Sequence, residues 1–227
     1  STKQKDGMKY VLSSTYNSHY SKFYTNYKVE KNDNNALIDL IKDSLDHFKK
    51  SNNNRNPDKI IIYREGGNER QVMKLIRTEL PKITEYIEGG YEKDYKPKLT
   101  IFNVNKKTDL KFFEKKGKDN YHNLPSGAVI DQEVVSPGCF EFYLQCPDVE
   151  KGTGTPVHFL CIYNTNDDLT ANDFEEITFK QSYYSWNWTG PIRIPAALKY
   201  AEVANSFSTK NIKGEIIEAL KDSPYYI

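Results

Sequence analysis

The chain has 227 residues, of which 37% are hydrophobic and 28% are charged, and 32 basic residues against 31 acidic ones give a net charge of +1. The near-zero charge excludes a global electrostatic field, so any binding of nucleic acid requires a local basic surface. No window approaches the roughly 20 apolar residues of a membrane-spanning helix. An aromatic content of 13% indicates a folded domain, and three cysteines without a CxxC pair argue against a disulfide scaffold or a zinc site.

The first fifty residues predict a hairpin and then a helix. Residues 8–15 and 22–30 are rich in β-branched and aromatic side chains and flank a polar turn, which predicts an antiparallel hairpin. Residues 31–35 form a loop, in which Asn34 or Asn35 could cap the next helix. Apolar residues at helical spacing between Leu37 and Phe48 predict an amphipathic helix of about three turns.

The rest of the chain alternates between strands and helices. Residues 59–63 form a continuous β-branched run, which is typical of a strand covered on both faces, and residues 98–104 predict another buried strand. A helix around residues 72–80 lies between them. The second half predicts three strands and then two helices, at residues 128–131, 140–144, 157–163, 171–182 and 195–207. This order indicates an α/β domain with a mixed β-sheet and helices on both faces.

Four stretches carry motifs in a recognisable order. Residues 60–66 read IIIYREG, residues 124–131 read LPSGAVID, residues 154–159 read GTPVHF, and residues 184–202 read YSWNWTGPIRIPAALKYAE. Together they resemble the PIWI domain, the ribonuclease H-like domain at the end of Argonaute and Piwi proteins. The NW and IR pairs of the last motif, and the YYI ending, are similar to the Piwi clade. The resemblance implies one PIWI domain over residues 1–227, with the first core strand and other domains upstream of residue 1.

The resemblance also implies a catalytic site and its loss. In this family, carboxylates hold two Mg²⁺ ions that cut RNA. Carried over one position at a time, the first Asp lies upstream of residue 1, and the mobile Glu falls at Ala36 or Asn35. The Asp of the strand-and-turn motif is Glu65, and the final His is Glu202. Since a misplacement of ~1 Å can cost about a hundredfold in rate, we expect a domain that keeps the fold and has lost cleavage.

Basic residues then become the candidate binding site. Residues 103–113 read NVNKKTDLKFF and are similar to the family segment that lines the guide–target channel. The resemblance implies phosphate contacts, which set affinity and salt dependence, for Lys106, Lys107, Lys111, Arg193 and Lys199. Without the resemblance, the lysine run is more typical of a solvated turn.

The chain end is a further candidate. The resemblance implies that the C-terminal carboxylate of Ile227 lies near the pocket for the guide's 5′ phosphate, where it can help to hold Mg²⁺. Tyr225 and Tyr226 would anchor the end by burial, and the alternative is a frayed terminus.

Two further features leave alternatives open. Trp186 and Trp188 could stack on bases, although aromatic residues at this spacing more often pack a core. His158 is expected to be a hydrogen-bonded core histidine and not a ligand.

The leading hypothesis is a small-RNA-guided RNA-binding protein of a Piwi silencing or RNA-processing pathway that does not cleave its target. Its expected partners are one guide RNA per protein, a paired transcript and effector proteins, in the cytoplasm, the nucleus or both, with no membrane. One alternative is an active guide-directed endoribonuclease that uses Glu65 and Glu202 with Mg²⁺ or Mn²⁺. Another is a protein-interaction scaffold.

Overall fold

The structure is a computed structural model that describes residues 2–4, 7–30, 35–212 and 214–227, and of residues 2–4 and 7 it describes the backbone. The chain divides into two compact units. The first comprises residues 1–58, 80–97 and 197–227, and the second comprises residues 59–79 and 98–196. Of the predicted loop at residues 31–35, all but Asn35 lies outside the described residues, and so does the alternative helix cap at Asn34.

The first unit contains a three-stranded antiparallel sheet. Its strands are β1 (Thr2–Gln4), β2 (Gly7–Thr15) and β3 (Phe23–Glu30), in that order. Strands β2 and β3 pair from Met8 opposite Glu30 to Thr15 opposite Phe23, which confirms the predicted hairpin. The turn between them is closed by the Asn17 side chain, whose Oδ1 accepts hydrogen bonds from two backbone N–H groups at 2.9 Å.

Helices of the first unit pack against this hairpin. Helix α1 (Ala36–Ser51) has 16 residues, so it is longer than the predicted three turns, and Asn35 occupies its N-cap position without a side-chain capping bond. The buried face of α1 consists of Ala36, Leu40, Ile41 and Leu45, at helical spacing. Helix α5 (Ala196–Asn211) is followed by a 3₁₀ turn over Glu218–Leu220.

A buried lysine links β2 to α5 within this unit. Lys9 is 1% exposed, its ammonium donates to Ser208 Oγ at 2.5 Å, and it lies 4.1 Å from the centroid of the Tyr27 ring. Burial lowers the pKa of Lys9, because a charged amine loses solvation in the interior. The hydroxyl and the aromatic face partly replace that solvation.

The second unit contains seven strands, which form a five-stranded sheet and a separate hairpin. They are β4 (Lys59–Glu65), β5 (Lys98–Asn105), β6 (Phe113–Lys115), β7 (Tyr121–Asn123), β8 (Ala128–Ile130), β9 (Glu141–Gln145) and β10 (Val157–Asn164). The five-stranded sheet has the order β4-β5-β10-β9-β8. Strands β4 and β5 are parallel, and the other neighbours are antiparallel, which confirms the predicted mixed sheet. The two-stranded hairpin of β6 and β7 was not predicted.

Phenylalanine rings form the core of the second unit. Phe142 stacks on Phe159 with ring centroids 5.0 Å apart, and Phe102 makes edge contacts with Phe142 and Phe174 at 5.9 and 5.6 Å. These rings belong to β9, β10, β5 and α4 (Ala171–Gln181) and are almost wholly buried. Packed aromatic pairs of this kind fix the relative positions of the strands and the helix that carry them.

Strand β4 differs from its prediction in burial. The run at residues 59–63 was expected to be covered on both faces, but its residues are only partly buried or exposed. Among the described strands, β4 pairs only with β5, along one of its two sides.

The helix predicted around residues 72–80 has shifted boundaries. Helix α2 (Glu69–Thr78) begins at the capping residue Asn68 and ends before Leu80. Leu80 instead begins a new short helix, α3 (Leu80–Glu85), which continues into a π-helical turn over Tyr86–Gly90.

Among the described residues, no helix combines the length and the apolar composition that crossing a bilayer requires.

Candidate nucleic-acid interface

The candidate site of the second unit begins where the parallel strands β4 and β5 end. In open α/β sheets, ligands bind beyond the carboxyl ends of parallel strands. Glu65 is the last residue of β4 and lies opposite Val104 of β5. Just beyond β5, the Lys106 ammonium lies 2.9 Å from Glu65 Oε1 in a partly exposed ion pair. The carboxylate at the predicted catalytic position is therefore held by a predicted phosphate-binding lysine.

Gly66 has a packing reason to be glycine. Its N–H donates to the carbonyl of Val104 at 3.0 Å, which continues the pairing of the two strands by one residue. A Cβ atom at this position would lie 1.5 Å from Oδ1 of the buried Asn103 side chain. A side chain at this position would therefore force the buried Asn103 side chain to move.

Arg64 stabilises the end of β4 through an ion pair with Glu79. Its Nε donates to Glu79 Oε2 at 2.8 Å and a terminal nitrogen donates to Glu79 Oε1 at 3.0 Å. This bidentate, partly buried pair joins the end of β4 to the residue that follows α2. The guanidinium is thereby directed at a protein carboxylate.

Two of the predicted phosphate-binding residues, Lys111 and Arg193, meet at Thr155, and Arg193 also contacts the backbone of Lys106. A terminal nitrogen of Arg193 donates to the carbonyls of Thr155 and Lys106, each at 3.1 Å. The Lys111 ammonium donates to Thr155 Oγ1 at 2.6 Å. We call Lys106, Lys111 and Arg193 the cationic cluster. Lys106 faces the Glu65 carboxylate, whereas Lys111 and Arg193 donate to a hydroxyl and to carbonyls, which are neutral groups.

Lys107 lies beside this cluster in the same turn. Its backbone N–H donates to Asn105 Oδ1 at 2.9 Å, and its side chain is exposed. The Asn105 side chain therefore shapes the turn that carries both lysines.

The remaining predicted residues lie in the first unit. Ala36 is the first residue of α1, is 2% exposed and carries no metal-binding atom. Glu202 and Lys199 lie on α5, where Lys199 is exposed and Glu202 is partly buried. Glu65 belongs to the second unit and Glu202 to the first.

The chain end is anchored and not frayed. Tyr226 is buried, its hydroxyl is 2.9 Å from Thr25 Oγ1 on β3, and its ring packs near Tyr200 of α5. Tyr225 makes an edge contact with Phe207 at 6.1 Å. Ile227 itself remains half-exposed, so its carboxylate lies at the surface at the end of a fixed segment.

His158 is confirmed as a hydrogen-bonded histidine inside the sheet. Its Nε2 lies 2.7 Å from Glu141 Oε2, and its ring stacks on Tyr143 with centroids 4.5 Å apart. Burial acts to raise the pKa of Glu141, but hydrogen bonds from Ser136 and His158 outweigh it and hold that pKa below its ordinary value. The pair is part of the strand packing of β9 and β10.

The expected metal ligands do not assemble within the described ranges. No group of three His, Cys, Asp or Glu side chains in those ranges could hold a metal ion. At the expected positions, Glu65 is ion-paired and Ala36 has no ligand atom. The described residues by themselves therefore do not fit a two-metal centre.

Some residues of the interface carried no sequence signal. Thr155 joins Lys111 to Arg193, and Glu79 holds Arg64, yet neither belongs to a local pattern that predicts such a role. Trp186 and Trp188 are both more than half exposed, so they do not pack a core, and their stacking on bases stays a prediction. The core interpretation is wrong for this pair.

Solved structures assign the fold to a class. The C-terminal lobe of a budding yeast Argonaute matches with a TM-score of 0.83 and 22% identity, over 99% of this chain and 51% of that chain. Drosophila Piwi matches with a TM-score of 0.79 and 21% identity, over 96% of this chain and 31% of that chain. The chain therefore has the ribonuclease H-like α/β fold of Argonaute PIWI lobes.

Sequence comparison then gives the family. The family model described as the Piwi domain matches residues 1–213, so the chain belongs to the Piwi domain family. Piwi-like protein 1 of Gallus gallus is 32% identical over 171 residues, which are 75% of this chain and 19% of the relative. Piwi-like protein 1 of Danio rerio is 31% identical over 203 residues, 88% of this chain and 23% of the relative. The chain thus spans about a fifth of the length of these relatives, and the resemblance to the Piwi clade is confirmed.

Proposed function

We propose that this chain is the part of a small-RNA-guided protein that holds RNA through its phosphates and does not cut it. The observation that carries the proposal is that Lys111 and Arg193 meet at Thr155 while Arg193 also contacts the backbone of Lys106. These side chains lie just beyond the carboxyl ends of parallel strands, where α/β folds bind ligands. Contacts with phosphate position a nucleic acid without reading its sequence, as a protein directed by a guide RNA requires.

Membership of the Piwi domain family supports RNA as the ligand. One structural neighbour, Kluyveromyces polysporus Argonaute, is described with a guide RNA and has a TM-score of 0.81. In this proposal the partners of the protein are one guide RNA, a paired transcript and effector proteins of an RNA pathway, in the cytoplasm, the nucleus or both.

We propose that cleavage is lost because the expected catalytic positions hold residues that do not match the metal ligands of the family. Glu65 is longer than the family Asp and pairs with Lys106, and Ala36 is buried and apolar. A two-metal mechanism needs several oxygen ligands at strictly defined distances from Mg²⁺. Each replacement removes or displaces one of them.

The chain end supports a second, non-catalytic role for Mg²⁺. We propose that the carboxylate of Ile227 helps to hold Mg²⁺ beside the guide's 5′ phosphate. A carboxylate oxygen is a ligand that Mg²⁺ prefers, and the burial of Tyr226 fixes the position of the chain end. When bound, the ion would neutralise phosphate charge.

The experiment is a salt titration of RNA binding with the intact protein. Each phosphate contact that is removed should lower the slope of log K against log salt by about 0.7–0.9. Lys111→Ala with Arg193→Ala should therefore reduce the slope by about 1.5 and weaken binding equally for RNAs of any sequence. The matched control is Lys116→Ala with Lys180→Ala, which removes two exposed charges of the same unit that pair with Glu114 and Glu176.

Three outcomes would contradict the proposal in different ways. An unchanged slope in the double variant would remove the cationic cluster from the interface. Cleaved target RNA in the presence of Mg²⁺ or Mn²⁺, lost on Glu65→Gln, would favour the endoribonuclease. A protein that binds no RNA after a moderate-salt wash but retains its protein partners would favour the scaffold.

A further inference from the structure

The loop between α4 and α5 has a rigid base. The N–H of Ile192 donates to the carbonyl of Ser182 at 2.9 Å, which closes residues 183–191 into a loop. Ser182 and Ile194 are buried, so both ends of the loop are fixed in the core of the second unit. We call residues 183–191 the tryptophan loop.

The tip of the tryptophan loop exposes its two largest side chains. Trp186 is 56% exposed and Trp188 is 63% exposed, and Tyr183 is also half-exposed. The backbone between them is organised, since the N–H of Trp188 donates to the carbonyl of Ser185 at 3.4 Å and Ser185 Oγ contacts Asn187 Oδ1 at 3.1 Å. A tryptophan can bury roughly 150–250 Å² of surface. A fixed turn that leaves two of them more than half exposed therefore gives up much of the favourable free energy of that burial. Exposed aromatic residues on an ordered support are typical of a binding surface.

The tryptophan loop is continuous with the cationic cluster. Arg193 directly follows the residue that closes the loop, and its guanidinium is held by the carbonyls of Lys106 and Thr155. Arg193 is five positions after Trp188, so their Cα atoms are at most about 18 Å apart. Flat aromatic faces and phosphate-binding charges therefore lie on one short stretch of surface. Proteins that hold single-stranded nucleic acid combine the same two elements.

We propose that Trp186 and Trp188 stack on unpaired bases of the RNA whose phosphates contact the cationic cluster. This inference rests on the proposed function and names the part of the RNA that the site receives. The bases of a paired segment are covered by their neighbours in the stack, whereas unpaired bases can be splayed onto aromatic rings. Every base has a π-face, so this contact tolerates any guide sequence. The positive charge of the adjacent cluster favours RNA over an apolar protein segment as the occupant.

The test compares two probes on the intact protein. One is a labelled single-stranded RNA, and the other is an abasic strand with the same number of phosphates. Trp186→Ala with Trp188→Ala removes two stacking contacts and should weaken binding of the RNA by about thirtyfold or more. The same variant should bind the abasic strand as tightly as the unchanged protein does, with the same salt slope, because its phosphate contacts are intact.

Matched variants separate stacking from general effects of the surface. Tyr121→Ala removes another exposed aromatic ring of the same unit, on the β6–β7 hairpin, and should leave both affinities unchanged. Trp186→Phe with Trp188→Phe keeps flat rings and should recover most of the affinity for RNA. Since the tryptophans are exposed, the thermal midpoint should be the same in all variants.

The outcomes distinguish this inference from the proposed function. If the unchanged protein binds neither strand, the proposed function fails and the inference fails with it. If it binds both strands and the tryptophan variant weakens neither, or weakens both equally, stacking is refuted and the phosphate contacts stand. If that variant keeps its RNA affinity but no longer retains a protein that co-purifies with the unchanged chain, the loop is a protein-docking site instead.

Discussion

Glu175 predicts an unusual dependence of stability on pH. The side chain lies on α4, is 8% exposed, and its Oε1 is buried without a hydrogen-bond partner among the described residues. Burial, and then the negative charge of Asp131, raise the pKa of Glu175 from 4.5 to about 7. The folded protein therefore keeps this proton up to about pH 7, whereas the unfolded chain releases it near pH 4.5.

The sign and size of the effect follow from this difference. Because the unfolded state binds fewer protons between these two pH values, the free energy of unfolding falls as the pH rises through that interval. A shift of about 2.5 pKa units corresponds to a loss of up to about 3 kcal/mol at pH 8. Glu175→Gln is neutral at every pH, so it should change stability little at about pH 5 and raise it by up to about 3 kcal/mol at pH 8. Urea unfolding of the intact protein across this range measures both values.

Two controls make the test specific. Glu176→Gln, an exposed neighbour on the same helix, should leave the pH dependence unchanged. Asp131→Asn should lower the pKa of Glu175 and remove only part of the dependence, since burial is the larger cause. An equal effect of Glu175→Gln at both pH values would refute the reasoning that a buried, unpaired carboxyl is responsible.

Three other substitutions test the scaffold by chemical unfolding. Gly66→Ala should cost about 1–3 kcal/mol because its Cβ meets Asn103, and a second change, Asn103→Ala, should recover much of that loss; additive effects would contradict the clash. Arg64→Lys keeps the charge but loses the bidentate contact with Glu79, for an expected cost of about 1–2 kcal/mol, and an unchanged midpoint would show that the pair contributes nothing. Tyr226→Phe should cost about 1 kcal/mol, since it deletes a buried hydrogen bond, whereas a loss near zero would indicate a frayed chain end.

Secondary structure was predictable where the hydrophobic pattern of a segment agrees with its burial in the folded protein. The hairpin of β2 and β3 and the buried strand β5 follow from local composition. The burial of β4 did not, because the residues of a strand do not show how many neighbouring segments will cover it. The break between α2 and α3 also lacked a signal, since apolar spacing continues through Leu80.

The candidate site was predictable only in part, through the family resemblance. That resemblance singled out Lys106 and Arg193 separately, and they are 87 residues apart in sequence. It could not indicate that the Arg193 side chain donates to the carbonyl of Lys106, or that Lys106 pairs with Glu65. Such contacts depend on which strands and loops become neighbours, and no local pattern contains that information.

The sequence by itself determined the class of fold, the family and the replacement of the expected catalytic residues, because these depend on the identity and order of residues along the chain. The tertiary structure alone decided which residues share a surface. It left Trp186 and Trp188 more than half exposed and brought Lys111 and Arg193 together at Thr155. The physical reason is that burial and charge proximity arise from long-range packing, in which each residue's environment is set by segments distant in sequence.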